Sequence, residues 1–118
     1  MRGEPKMTRA QLEVYALRVW EMNLFPLLQA GQLEYGAESE AHVNFRQYAE
    51  RSGVDERLCL MQCLEKHLIG IYSWIRGHES QREDVTGRVD DAIVYLLLLR
   101  ALVDQDRGTA VPNNLGHG

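Results

Sequence analysis

A chain of 118 residues with 45% apolar and 25% charged side chains is of single-domain size and ordinary globular composition. Its net charge of −4 argues against a broad nucleic-acid-binding face, which would need clustered lysine and arginine to offset phosphate charge. The longest apolar run, residues 92–99, is far shorter than a membrane span, and no signal-peptide pattern is visible at the start, so a soluble cytoplasmic protein is expected.

Residues 1–7 carry Gly3 and Pro5 and read as a flexible lead-in. Thr8 is placed to cap a first helix, with Gln11 completing a capping box. Leu12, Tyr15, Val19 and Met22 follow helical spacing, and Leu17, Trp20, Leu24 and Leu28 form a second stripe. Pro26 predicts a kink or a split near Leu24, with the helix resuming at Leu27 and stopping at Gly36. Residues 38–51 read as a short helix with His42, Phe45 and Ala49 on one side, closed by Ser52 and Gly53.

Asp55 begins a third helix that runs to Arg76 and ends at Gly77. Within it, Leu58, Met61, Leu64, Leu68, Ile71 and Ile75 make a heptad-like stripe beside a second row of Leu60, Cys63, His67, Gly70 and Trp74. Gly70 costs roughly 1 kcal/mol against alanine, which predicts close helix–helix approach there. Cys59 and Cys63 lie four apart on one helix, which rarely offers disulfide geometry, so reduced thiols packing as small apolar groups are expected.

A polar link over 78–85 precedes a last helix capped by Thr86 and running to Asp106. That helix is apolar all round through 92–99 and predicts cover on every side, from neighbouring helices or a second subunit. Residues 107–118 read as a flexible tail. The expected architecture is all-α: one domain over 8–106, a four- to five-helix bundle, and a homo-oligomer, most simply a two-fold dimer.

All-α nucleotide pyrophosphohydrolases hold magnesium with acids three residues apart on a helix, because that spacing aims two carboxylates into one groove. No glutamate here has an acid three positions later, which leans the reading away from an enzyme and leaves no catalytic residue to name. Asp90 and Asp91 are the best acidic pair and the best metal candidates, with magnesium as the ion such acids would hold. Acids early in a helix also offset its dipole. Lys66 and His67 form a second constellation, but adjacent helix residues diverge by about 100° and do not converge on one atom. His67 reads as a hydrogen-bonded core histidine, and Lys66 is the preferred partner for Asp91. Cys59, Cys63 and His67 make a ladder that would need a further ligand from elsewhere to hold zinc.

Leu33-Glu34-Tyr35-Gly36, Glu40 with His42-Val43-Asn44-Phe45, Glu65-Lys66-His67-Leu68, and 89–96 around Asp91 and Tyr95 occur in that order. The series resembles a family of small uncharacterised phage and prophage proteins, and more distantly the phage nucleotide-modification-associated helical domains. Glu34 departs from the aspartate that pattern would place before Tyr-Gly. The resemblance implies a helical fold, a phage origin within a bacterial cytoplasm, and a link to nucleotides.

On this reading the chain binds a nucleotide or phosphate-bearing ligand without an evident catalytic centre. Tyr35 would stack on a base, Asn44 would meet a base edge, Arg46, Lys66 and Arg76 would meet phosphate, and Asp91 a sugar hydroxyl or metal. One alternative is a phage interaction protein that inhibits a host defence complex through protein contacts. The other is a divergent all-α pyrophosphohydrolase, in which Asp90 or Asp91 must converge with Glu34 or Glu38.

Overall fold

The computed structural model describes residues 6–35, 42–78 and 83–108, and the backbone alone for 32–35. Every regular element among them is helical: α1 (Arg9–Val19), a π-helical segment (Trp20–Leu24), α2 (Phe25–Tyr35), α3 (Val43–Ser52), α4 (Glu56–Ile75) and α5 (Val85–Asp106). None of these helices is long and apolar enough to cross a membrane. Residues 36–41, 79–82 and 109–118 lie outside this description, and with them the expected cap at Gly36 and most of the expected tail.

The chain enters α1 through a complete capping box. Thr8 Oγ1 accepts from the Gln11 N–H at 3.1 Å, and Gln11 Oε1 accepts from the Thr8 N–H at 2.9 Å. Pro26 disturbs the helix where expected but does not split it. The Phe25 N–H reaches back five residues to the Trp20 carbonyl, and the widened π turn places Pro26 in the first turn of α2. A proline is tolerated there because its missing N–H would have lacked a helical partner.

The remaining boundaries are set by caps. α3 stops at Gly53, whose φ of +74° favours glycine, and α4 starts at Asp55, which accepts from the Arg57 N–H at 2.8 Å. The cap of α5 is Asp84 and not Thr86: its carboxylate accepts from the Thr86 N–H at 3.2 Å, so the helix opens two residues earlier than predicted.

α4 and α5 are the central pair, and they run antiparallel. Arg57 meets Asp106, His67 meets Asp91 and Gly70 meets Arg88, so one number rises as the other falls. α3 packs across the first half of α4 and seals a core of Phe45, Cys59, Leu60 and Leu102, with Phe45 edge-on to Tyr95 at 6.1 Å between centroids. His42, buried before α3, donates from Nε2 to the Leu98 carbonyl at 2.9 Å and ties α3 to α5.

Two packing expectations change. On α4 the inward face takes residues from both rows: Leu60 and Leu64 are buried, whereas Leu58 and Ile75 at the ends of the heptad-like stripe and Trp74 at the end of the second row are more than half exposed. α3 and α5 pack along the seam between the rows, so the ends of both stay uncovered. At Gly70 the neighbour is not a helix backbone but the Arg88 side chain, which a Cβ would approach to 2.5 Å. Cys59 and Cys63 are free thiols, as expected.

Candidate functional site

The polar centre of the molecule lies where α5 begins. Glu83 precedes the Asp84 cap, Asp91 follows two turns later on the face turned toward α4, and His67 reaches it from α4. His67 Nε2 and Asp91 Oδ2 are 3.7 Å apart, a charge contact too long for a hydrogen bond. Donor atoms of His67, Glu83 and Asp91 all lie within 4.8 Å of one another. Burial raises the Asp91 carboxyl above the usual carboxylate range, and the hydrogen bond with Glu83 adds to it. The charges of Glu83 and Asp90 push the same way, while the His67 charge opposes them.

The surroundings hold this group in place. The His67 ring lies tilted against Tyr95 at 5.5 Å between centroids, and its Nδ1 is buried without a hydrogen-bond partner. Arg88 crosses Gly70 and brings its guanidinium to 4.0 Å from Glu83. One imidazole nitrogen and two carboxylates are a donor set that divalent metals accept.

Beside this centre, α2, α3, α4 and α5 enclose a cavity of about 400 Å³. Its lining is mostly apolar, including Leu27, Phe45, Val94 and Tyr95, with Asn44 and Asp91 as the polar groups. A recess of about 320 Å³ adjoins it between α3 and α4 and carries Tyr48, Arg51, Gln62 and Lys66. Asn44, Phe45 and Cys63 line both spaces. The two together present an acid at one end and two cations at the other.

Three of the sequence-predicted residues therefore converge: Asn44 on both spaces, Lys66 on the recess and Asp91 on the cavity. The expected partnership of Asp91 with Lys66 is replaced by one with His67. The two α4 residues diverge around the helix, and Lys66 turns toward α3. Arg46 stands apart, paired with Glu50 at 2.6 Å along an outer groove with Arg57 and Asp106. Arg76 lies beyond the end of α4, over the Tyr72 ring at 5.9 Å. Asp90 joins no metal-ligand cluster among the described residues and acts on Asp91 through its charge. The side chains of Tyr35 and Glu34, and all of Glu38, lie outside the described residues.

Sequence reasoning missed Glu83, Arg51 and Tyr48 as site residues. Glu83 sits in a polar link with no periodicity to mark it, and Arg51 and Tyr48 read as the solvated face of a short helix. His67 did carry a signal, being polar within an apolar row, but it is no hydrogen-bonded core histidine. His42 fills that role instead. Compared with known proteins, the chain matches no family model, no curated protein and no solved structure.

Proposed function

We propose that this protein binds a nucleotide or another phosphate-bearing small molecule across the cavity and the recess beside it, without catalysing a reaction on it. The observation that carries this reading is the convergence of Asn44, Lys66 and Asp91 on two adjoining spaces that share a wall. Each space is within the usual size range of ligand sites, with few polar groups in the cavity and several in the recess beside it, which suits a ligand with an apolar and a charged part. Lys66 and Arg51 supply charge-assisted donors for phosphate, Asn44 has an amide for a base edge, and Asp91 accepts from a sugar hydroxyl. The resemblance to phage nucleotide-modification-associated domains points the same way.

A thermal-shift screen of nucleotides with and without magnesium tests the reading. A ligand at a hundred times its dissociation constant adds about 2.7 kcal/mol, a rise of several degrees for a domain of this size. Lys66→Ala and Asn44→Ala should abolish the shift while leaving the unliganded melting temperature nearly unchanged. A panel with no shift overturns the proposal, as does a shift that both variants retain. Magnesium-dependent pyrophosphate release, lost in Asp91→Ala, would put the hydrolase in its place.

A second reading rests on a separate observation. Val89, Ile93, Leu96 and Leu97 form an exposed apolar stripe on α5, and Leu12, Tyr15 and Met22 are exposed on the first helical arm. Apolar area of this kind suits protein contacts. We infer a homo-oligomer in which a second copy covers the α5 stripe, and a phage interaction protein directed at a host partner would use the same kind of surface.

A further inference from the structure

We propose that His67, Glu83 and Asp91 form a binding site for one divalent metal ion of Mn(II) or Zn(II) character. The proposal stands apart from the nucleotide reading, because a metal can occupy these residues with no phosphate present.

Two ligands of one tetrahedral ion at about 2.0–2.2 Å lie roughly 3.3–3.6 Å from each other. The His67–Asp91 separation of 3.7 Å is close to that interval, and the whole set is within 4.8 Å. Side-chain movements of about 1 Å close it. α4 and α5 hold two of the three ligands on their facing surfaces, with the rigidity of the core pair behind them.

His67 differs from the buried His42, which is anchored by a hydrogen bond to the Leu98 carbonyl. His67 is only 17% exposed, makes no hydrogen bond among the described residues, and has a buried Nδ1 without a partner. The nitrogen nearest Asp91 is Nε2, which no hydrogen bond among the described residues ties down, so a metal there displaces no existing bond. An imidazole half-enclosed beside two carboxylates, with Asp91 beyond hydrogen-bond distance at 3.7 Å, has the neighbours of a metal ligand.

The donor types select the ion. Mg(II) and Ca(II) prefer oxygen throughout, whereas an imidazole beside carboxylates suits Mn(II) or Zn(II). Three protein ligands leave coordination positions open, and Asp91 also lines the 400 Å³ cavity, so those positions face the space where a small ligand would sit. Arg88, 4.0 Å from Glu83, offsets part of the acid charge and orients that carboxylate.

Calorimetric titration of the full chain, stripped with a chelator and given Mn(II) or Zn(II) alone, tests the site. Saturable uptake of one ion per chain is expected, with a rise in melting temperature. His67→Gln and Asp91→Asn should each weaken binding by roughly tenfold or more, and Glu83→Gln should weaken it as well. Circular dichroism of each variant verifies folding, so a lost site is separated from a lost fold. A Cys59→Ser, Cys63→Ser double variant should bind as tightly as the parent, since the thiols lie outside the ligand set. Absence of saturable binding by the parent overturns the proposal. So does binding that survives in both His67→Gln and Asp91→Asn, or that vanishes in the cysteine variant.

Discussion

Asp91 sits in a local conflict, because burial and Glu83 both favour its protonated form. A raised carboxyl means the folded state binds the proton more tightly than the unfolded chain does. Stability is therefore lost as pH rises from the ordinary value of 3.8 through the raised one. Asp91→Asn should accordingly raise the melting temperature of metal-free protein at neutral pH, and the gain should fade toward pH 4 in a melting series. Asp55 has the opposite sign: hydrogen bonds from the Arg57 side chain and backbone hold it down at about 2. Its contribution is complete above 3.8 and is lost as pH falls through about 2, so Asp55→Asn should flatten the acid side of the same series. At this scale the sequence showed that Asp91 and His67 were out of place on apolar faces. It did not show that they meet, because that depends on how α4 and α5 are paired.

At the scale of elements, chemistry written into one or two residues was legible. The Thr8–Gln11 box, Gly53, Asp55 and Gly77 each satisfy helix-end groups by local contacts that need no tertiary knowledge. Asp84 was overlooked because Thr86 is an equally acceptable cap by type, and only the observed bond to the Thr86 N–H separates them. Asp84→Ala should cost about 1 kcal/mol, read as a fall in melting temperature. Which face of α4 turns inward was not legible. Both of its rows are apolar, and the choice belongs to α3 and α5. Leu60 is fully buried on the inward face, so Leu60→Ala should cost roughly 2–5 kcal/mol in denaturant unfolding, while Leu58→Ala should cost far less. The reverse order would mean that Leu58 faces the core and Leu60 does not.

At the scale of the whole molecule, the all-helical architecture followed from the absence of strand periodicity and from the capping signals. The helical arm did not: α1 has no buried residue, and the arm meets α5 mainly through the π segment and α2. The Cα radius of gyration is 16.8 Å, against about 13.5 Å for a compact domain of this length. That excess and the apolar stripe on α5 motivate one solution test. Light scattering at micromolar concentration should give a dimer, and Leu96→Glu with Leu97→Lys should return it to a monomer. A nuclear magnetic resonance titration with nucleotides maps where a ligand lands on the chain. Binding should perturb the Asn44 side-chain amide together with Lys66, Asp91 and Tyr95, and leave Arg76 and α1 unmoved. Perturbations confined to α1 or to the Arg46–Glu50 groove, or none at all, would overturn the nucleotide reading.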